Sequence, residues 1–154
     1  MGETPSAITS RPLRSQRCDY HVFRLIPTRW ADNDAYGHVN NIVYYEWFDT
    51  AVNAWLIETG SLVLGISPII GLVVETGCSY FESVSFPQNV EIGMAVKALG
   101  LSSVTYEIGV FSQGGNLAIA QGRFTHVYVD QASQAPVPIP DDIRARMEAI
   151  ARPV

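Results

Sequence analysis

The sequence predicts an α+β fold in which one long helix is buried inside a curved antiparallel sheet. Three observations carry that expectation. The segment Ile42–Ile57 places Tyr44, Phe48, Ala51 and Trp55 at helical spacing, while Ile42, Tyr45, Trp47, Val52, Ala54 and Leu56 fill much of the remaining circumference. A helix apolar nearly all round is buried nearly all round. The chain beyond it is dominated by residues that alternate with a period of two, the pattern of strands with one covered face. One helix of about five turns cannot hide its whole circumference against a flat sheet. A sheet curled around it can, and a second copy of the chain can close the open side.

In chain order, Tyr20–Ile26 mixes apolar and polar residues in a strand-like way, and Pro27 weakens its far end as a central strand. The helix follows, with Gly60 placed to end it as the residue beyond its C-terminus. Leu72–Phe81 is rich in Val and aromatic residues. Val90, Ile92, Met94, Val96 and Ala98 alternate with Glu91, Gly93, Ala95 and Lys97, and Val104, Tyr106, Ile108 and Val110 alternate with Thr105, Glu107 and Gly109. Gln113-Gly114-Gly115-Asn116 signals a hairpin turn into a long strand, Leu117–Val129. One face of that strand begins Ala118, Ala120, Gly122, small enough for a helix to approach closely. Pro136, Pro138 and Pro140 form an extended connector, after which Asp141 is expected to cap a short helix through about Ile150. The last four strands are expected to follow one another in antiparallel succession. Residues 1–18 read as a flexible leader and residues 19–154 as a single domain.

Composition narrows the function. At 154 residues the chain is long enough to bury a real core, and 47% hydrophobic with 16% charged residues suits a globular domain. The net charge of −5 argues against broad nucleic-acid binding, which needs a basic face. Cys18 and Cys78 are too few for a disulfide framework. The longest apolar run, Leu62 to Val74, is broken by Gly65, Ser67, Pro68 and Gly71, so no bilayer span is expected. The leader carries Arg11, Arg14 and Arg17 without an apolar stretch behind them, unlike a signal peptide. A cytoplasmic protein is expected.

The chemistry concentrates in Asp32-Asn33-Asp34-Ala35-Tyr36-Gly37-His38-Val39-Asn40-Asn41, which ends where the helix begins. Free N–H groups and the positive end of the helix dipole gather at such a start and stabilise negative charge. A carboxylate just upstream can then face a polarised carbonyl, which is the skeleton of an acyl-transfer site. Asn40 is expected to be the helix N-cap. Asp32 is expected to pair with Arg29 or hold the loop, and Cys78 reads as a small core residue. Gly65-Ile66-Ser67-Pro68 lacks the second Gly of a serine nucleophile elbow.

These stretches resemble the hotdog-fold thioesterases, in the 4-hydroxybenzoyl-CoA thioesterase-like branch of acyl-CoA thioesterases. The resemblance covers about residues 20–150. It rests on Arg29-Trp30-Ala31-Asp32-Asn33-Asp34 through Gly37-His38-Val39-Asn40-Asn41 with Tyr44, Phe48 and Ala51 behind it. Val73-Val74-Glu75 leading to Tyr80 supports it, as do Thr125–Asp130 and Pro136–Pro140. The resemblance implies a five- or six-stranded sheet around the helix, dimers that form one continuous sheet, active sites at the dimer interface, and frequent tetramers. It also implies an acyl-CoA or acyl-carrier-protein substrate and no metal or redox cofactor.

Carried across, the catalytic carboxylate falls on Asp34 and the oxyanion donor on the backbone N–H of Asn41. His38 either positions Asp34, polarises the carbonyl, or simply bonds at the helix entry. Plant acyl-ACP thioesterases carry Asp-x-Asn-x-His in this stretch; here Tyr36 replaces the middle asparagine, so that three-residue version does not transfer whole. Substrate contacts are expected among Tyr44, Glu75, Ser103 and Lys97. The turn Gly100-Leu101-Ser102-Ser103 lacks the basic residues that relatives place against the CoA phosphates. Two other classes remain open: a hotdog enoyl- or hydroxyacyl-thioester hydratase, and a non-catalytic acyl-CoA-binding module.

Overall fold

The computed structural model describes residues 12–153. Strands β1 (Val22–Pro27), β2 (Ile69–Tyr80), β3 (Asn89–Leu99), β4 (Ser103–Ser112) and β5 (Ala120–Asp130) form one antiparallel sheet that curves around helix α1 (Asn41–Glu58), and a short helix, α2 (Asp141–Glu148), follows. The strand order is β1-β3-β4-β5-β2. Strands β3, β4 and β5 are a meander, but β2 departs from the expected succession and pairs with β5 at the far edge. The reason is the helix. It connects β1 to β2 across the inner face of the sheet, so these two strands finish on opposite edges.

Helix α1 starts and stops where local chemistry dictates. Asn40 caps it, its side-chain oxygen accepting the Ile42 N–H at 3.1 Å. At the other end Gly60 has φ +75°, and the Gly60 and Ser61 N–H groups donate back to the Ile57 and Leu56 carbonyls. That is a Schellman closure, which a residue with a Cβ adopts poorly. The buried face carries Val43, Tyr44, Trp47, Phe48, Ala51, Val52, Trp55 and Leu56 against inward residues of the sheet such as Ile92, Tyr106 and Phe124. Gly122 permits the closest approach: a Cβ there would lie 2.5 Å from the Phe48 ring. Burial all round is not reached within one chain. Ile42, Glu46, Asp49 and Ile57 form an exposed stripe at helical spacing.

The sheet is also covered on part of its outer face, so the one-covered-face expectation fails for β3 and β4. Tyr20 packs over Gly93 and Gly109, where a Cβ would meet its ring at 2.9 and 2.6 Å, and joins Phe23 and Phe111 in an aromatic cluster. Residues ahead of it are seated too. Gln16 bridges Leu117, Ala118 donates to the Ser15 carbonyl at 2.9 Å, and Arg17 forks onto Glu91. Ser15, Gln16 and Arg17, which the sequence reading places in the leader, are therefore held on the sheet, while residues 1–11 lie outside the described residues. The same pairing delays β5 to Ala120, because Leu117 and Ala118 bond to this arm. At α2, Pro140 is the N-cap and Asp141 is the first helical residue rather than the cap; Asp141 and Asp142 act through the helix dipole. Among the described residues no helix is long and apolar enough to cross a membrane.

His126 on β5 is buried at 2% exposure, and its Nδ1 has no hydrogen-bond partner. Burial pushes its pKa down from 6.5 to about 4. The unfolded chain thus binds a proton that the folded chain refuses. Stability is expected to be full above pH 6.5 and to fall by about 3 kcal/mol as pH drops toward 4. Urea midpoints across that range check it; in His126→Phe this part of the slope should vanish.

Candidate active site

The segment ahead of α1 is a closed loop anchored by Asp32. That carboxylate is 1% exposed and accepts from the Arg29 backbone N–H at 2.7 Å and from its Nε at 2.9 Å. Its carbonyl takes the Asn40 N–H at 2.8 Å, tying the loop to the cap of α1. Arg29 reaches on to Glu46, and the two carboxylates raise its pKa, Asp32 contributing most. Asp32 therefore both pairs with Arg29 and holds the loop.

Asp34 opens the turn inside. Its Oδ1 accepts the Tyr36 N–H at 2.8 Å and the His38 N–H at 3.4 Å. Its N–H donates to the His38 carbonyl at 2.7 Å, and its carbonyl accepts from Gly37, whose φ is +80°. This Asx-type turn leaves Oδ2 without a hydrogen-bond donor among the described residues. One oxygen is held and the other is free. The His38 imidazole is exposed and makes no hydrogen bond among the described residues.

Residues from the β2–β3 connection seat the loop from outside. Ser85 Oγ donates to the Gly37 carbonyl at 2.8 Å, Val39 N–H to the Val84 carbonyl at 2.8 Å, and Phe86 N–H to Asn33 Oδ1 at 3.1 Å. Next along the chain, the Asn41 N–H at the first helical position meets no acceptor among the described residues. Asn41 lines an open cleft of ≈ 250 Å³ with Val39, Tyr44, Tyr80 and Phe81. The Tyr80 hydroxyl donates to the Asn41 carbonyl at 2.9 Å, and its ring meets Tyr44 edge-on. Burial raises both phenols, Tyr44 to about 12, so both stay protonated near neutral pH.

Thus Asp34, His38, Asn41 and Tyr44 lie in and just behind one helix start, while the other expected contacts lie elsewhere in this chain. Glu75 is on the edge strand β2, exposed and paired with Arg123 at 2.6 Å. Lys97 lines a separate shallow hollow with Cys78, Glu107 and Arg123. Ser103 sits at the start of β4, its Oγ over Gly100. The Cys78 thiol is pushed up to about 11 by burial, which removes it as a nucleophile. A further hollow of ≈ 240 Å³ is lined by Leu62, Leu64, Ile69 and Ile70, whereas the neighbouring Ile66 is 76% exposed and not part of it. Sequence reasoning gave no site role to Tyr80 or Ser85. Tyr80 is 39 residues from Asn41 and Ser85 is 48 from Gly37, so no local pattern links either to the motif it touches.

The thioesterase-like superfamily profile matches residues 28–147. The crystal structure of the PA5185 protein from Pseudomonas aeruginosa is similar at 49% identity and TM-score 0.88, covering 91% of this chain and 98% of that one. The PA2801 protein from the same organism is 31% identical, with TM-score 0.73 over 80% of this chain and 95% of that one. BH1999, a gentisyl-coenzyme A thioesterase, is 27% identical, with TM-score 0.73 over 82% of this chain and 99% of that one. No match is found among curated protein sequences. With profile, fold and helix-start motif in agreement, the chain belongs to the thioesterase-like superfamily of thioester-hydrolysing enzymes.

Proposed function

We propose that this protein hydrolyses acyl-CoA thioesters, with Asp34 as nucleophile or general base and the Asn41 main-chain N–H as oxyanion donor. The observation that carries the reading is an unpaired N–H at the first position of α1, lining a cleft and following a carboxylate with one free oxygen. The thioester carbonyl oxygen sits at the helix start and gains negative charge as the nucleophile adds. A donor of that kind is worth about 10²–10³ in rate. If Asp34 attacks, the carbonyl–sulfur bond breaks, CoA leaves as thiolate, and water hydrolyses the mixed anhydride. If Asp34 acts as base, it takes a proton from the attacking water. His38 lies beside either route. Tyr44 walls the cleft, and Glu75, Lys97 and Ser103 reach substrate only across a subunit interface.

A panel of acyl-CoA thioesters with thiol detection tests the activity. Thiol release from saturated substrates is expected. Loss of the enoyl absorbance of crotonyl-CoA without thiol release would point to a hydratase instead, and binding without turnover to a non-catalytic module.

The reading includes a dimer or tetramer. Strand β2 is a twelve-residue edge strand with Leu72–Thr76 exposed and Val74 at 58%. A long apolar edge is a template for pairing with another chain, and the exposed stripe of α1 is a second surface to cover. Sedimentation equilibrium is expected to give at least a dimer; a stable monomer at micromolar concentration would overturn the shared site.

A further inference from the structure

We propose that Tyr80 is a positioning residue for the reaction: its hydroxyl holds the first turn of α1, so that the Asn41 N–H keeps a fixed direction at the cleft. The inference rests on the thioester-hydrolysis reading above. A donor stabilises a developing oxyanion only from a narrow range of positions, and a misplacement of about 1 Å costs about 10²-fold in rate. Helix ends fray, and the first helical residue has few bonds to resist it. A helix start that serves as an oxyanion hole therefore needs a tie from outside the helix.

The loop ahead of α1 fixes Asn40 rather than Asn41. Asn40 donates its N–H to the Asp32 carbonyl at 2.8 Å, accepts the Val43 N–H on its own carbonyl at 3.0 Å, and takes the Ile42 N–H on its side chain at 3.1 Å. Asn41 and Ile42 are both exposed. Among the described residues, the hydrogen bond that reaches Asn41 from outside α1 is that of the Tyr80 hydroxyl, donated to its carbonyl at 2.9 Å. Peptide planes leave a residue two soft dihedrals. With Asn40 pinned on one side and the Asn41 carbonyl on the other, both dihedrals of Asn41 are held, and the direction of its N–H with them.

Tyr80 is itself firmly placed by the sheet. It is the last residue of β2, opposite Ala120 on β5, and the Phe81 and Glu82 N–H groups behind it both donate to the Ile119 carbonyl, at 2.8 and 3.1 Å. Its ring stands edge-on to that of Tyr44, which is 2% exposed, with 4.9 Å between centroids. Burial raises its pKa, so the phenol stays a donor near neutral pH. The tie acts on the group that meets the thioester carbonyl, which is common to every acyl substrate.

Tyr80→Phe keeps the ring against Tyr44 and removes only the hydroxyl. It is expected to lower kcat by about ten-fold, by the same factor for acetyl-CoA and octanoyl-CoA, with KM unchanged. Tyr80→Leu should show the same kcat loss together with a lower melting temperature, because it also loses the ring. An unchanged kcat in Tyr80→Phe overturns the proposal, as does a raised KM with normal kcat, which would make Tyr80 a wall of the cleft. On an Asn41→Pro background the N–H is absent, so Tyr80→Phe should remove nothing further from the residual turnover; a loss that multiplies with that of Asn41→Pro shows an independent role and overturns it. NMR relaxation of the Asn41 amide tests the tie without any substrate. Its order parameter is expected near about 0.85 in the wild type and to fall toward about 0.6 in Tyr80→Phe, with the amides from Val43 onward unchanged. An Asn41 amide equally ordered in both proteins overturns the proposal. A wild type that cleaves no thioester yet shows this loss of order would refute the activity while upholding the hold of Tyr80 on Asn41.

Discussion

Asp34→Asn is expected to lower thioester turnover by at least about 10²-fold with little loss of stability. The structure separates the two roles of this side chain. Oδ1 organises the turn by accepting the Tyr36 and His38 N–H groups, and an asparagine carboxamide oxygen accepts both equally well. Oδ2 has no donor among the described residues, and it is there that charge and basicity are lost. The neighbouring carboxylate makes the control. Asp32 is buried against Arg29 and accepts both its main-chain and side-chain N–H groups. Asp32→Asn should therefore act mainly on stability, by about 1–3 kcal/mol, and cost less turnover. Steady-state kinetics beside thermal melts distinguish the two. Normal activity in Asp34→Asn with an inactive but folded Asp32→Asn would reverse the assignment.

Asn41→Pro is expected to abolish turnover, and Asn41→Ala to leave it largely intact. Proline deletes the main-chain N–H proposed as oxyanion donor, and that N–H has no acceptor among the described residues, so the folded chain loses no hydrogen bond of its own. Position 41 is the first of the helix, where the fixed φ of proline is favourable. Asn40 before it is extended, with ψ 138°, the conformation that a following proline demands. Alanine keeps the N–H and discards only the carboxamide. Circular dichroism should show both variants folded. Equal loss of activity in the two would assign the function to the side chain and defeat the oxyanion reading.

Where local rules sufficed, the site was legible in the chain. Asn40 as cap, Gly60 as the left-handed stop and Gly122 as the point of close helix approach each follow from one residue and its immediate neighbours. The pairing of Asp32 with Arg29 spans three residues. The seating of the loop ahead of α1 was not legible, because Tyr80 and Ser85 reach it and the helix start from a strand end and a connection that the sheet topology brings back. Nor was the seating of Arg14–Tyr20, which show no apolar periodicity and are held by ion pairs and by the packing of Tyr20 over two glycines on other strands.

By itself the sequence determined the element types, the buried row Tyr44, Phe48, Ala51 and Trp55 of α1, and the residues that cap and stop that helix. Those properties depend on periodicity and capping, which act over a few residues. Only the tertiary structure decided that β2 lies at the far edge against β5 and that the outer face of β3 and β4 is covered. Strand pairing is a competition among segments of similar local propensity. The geometry of a helix crossing a curved sheet settles it, and no window of the sequence contains that geometry.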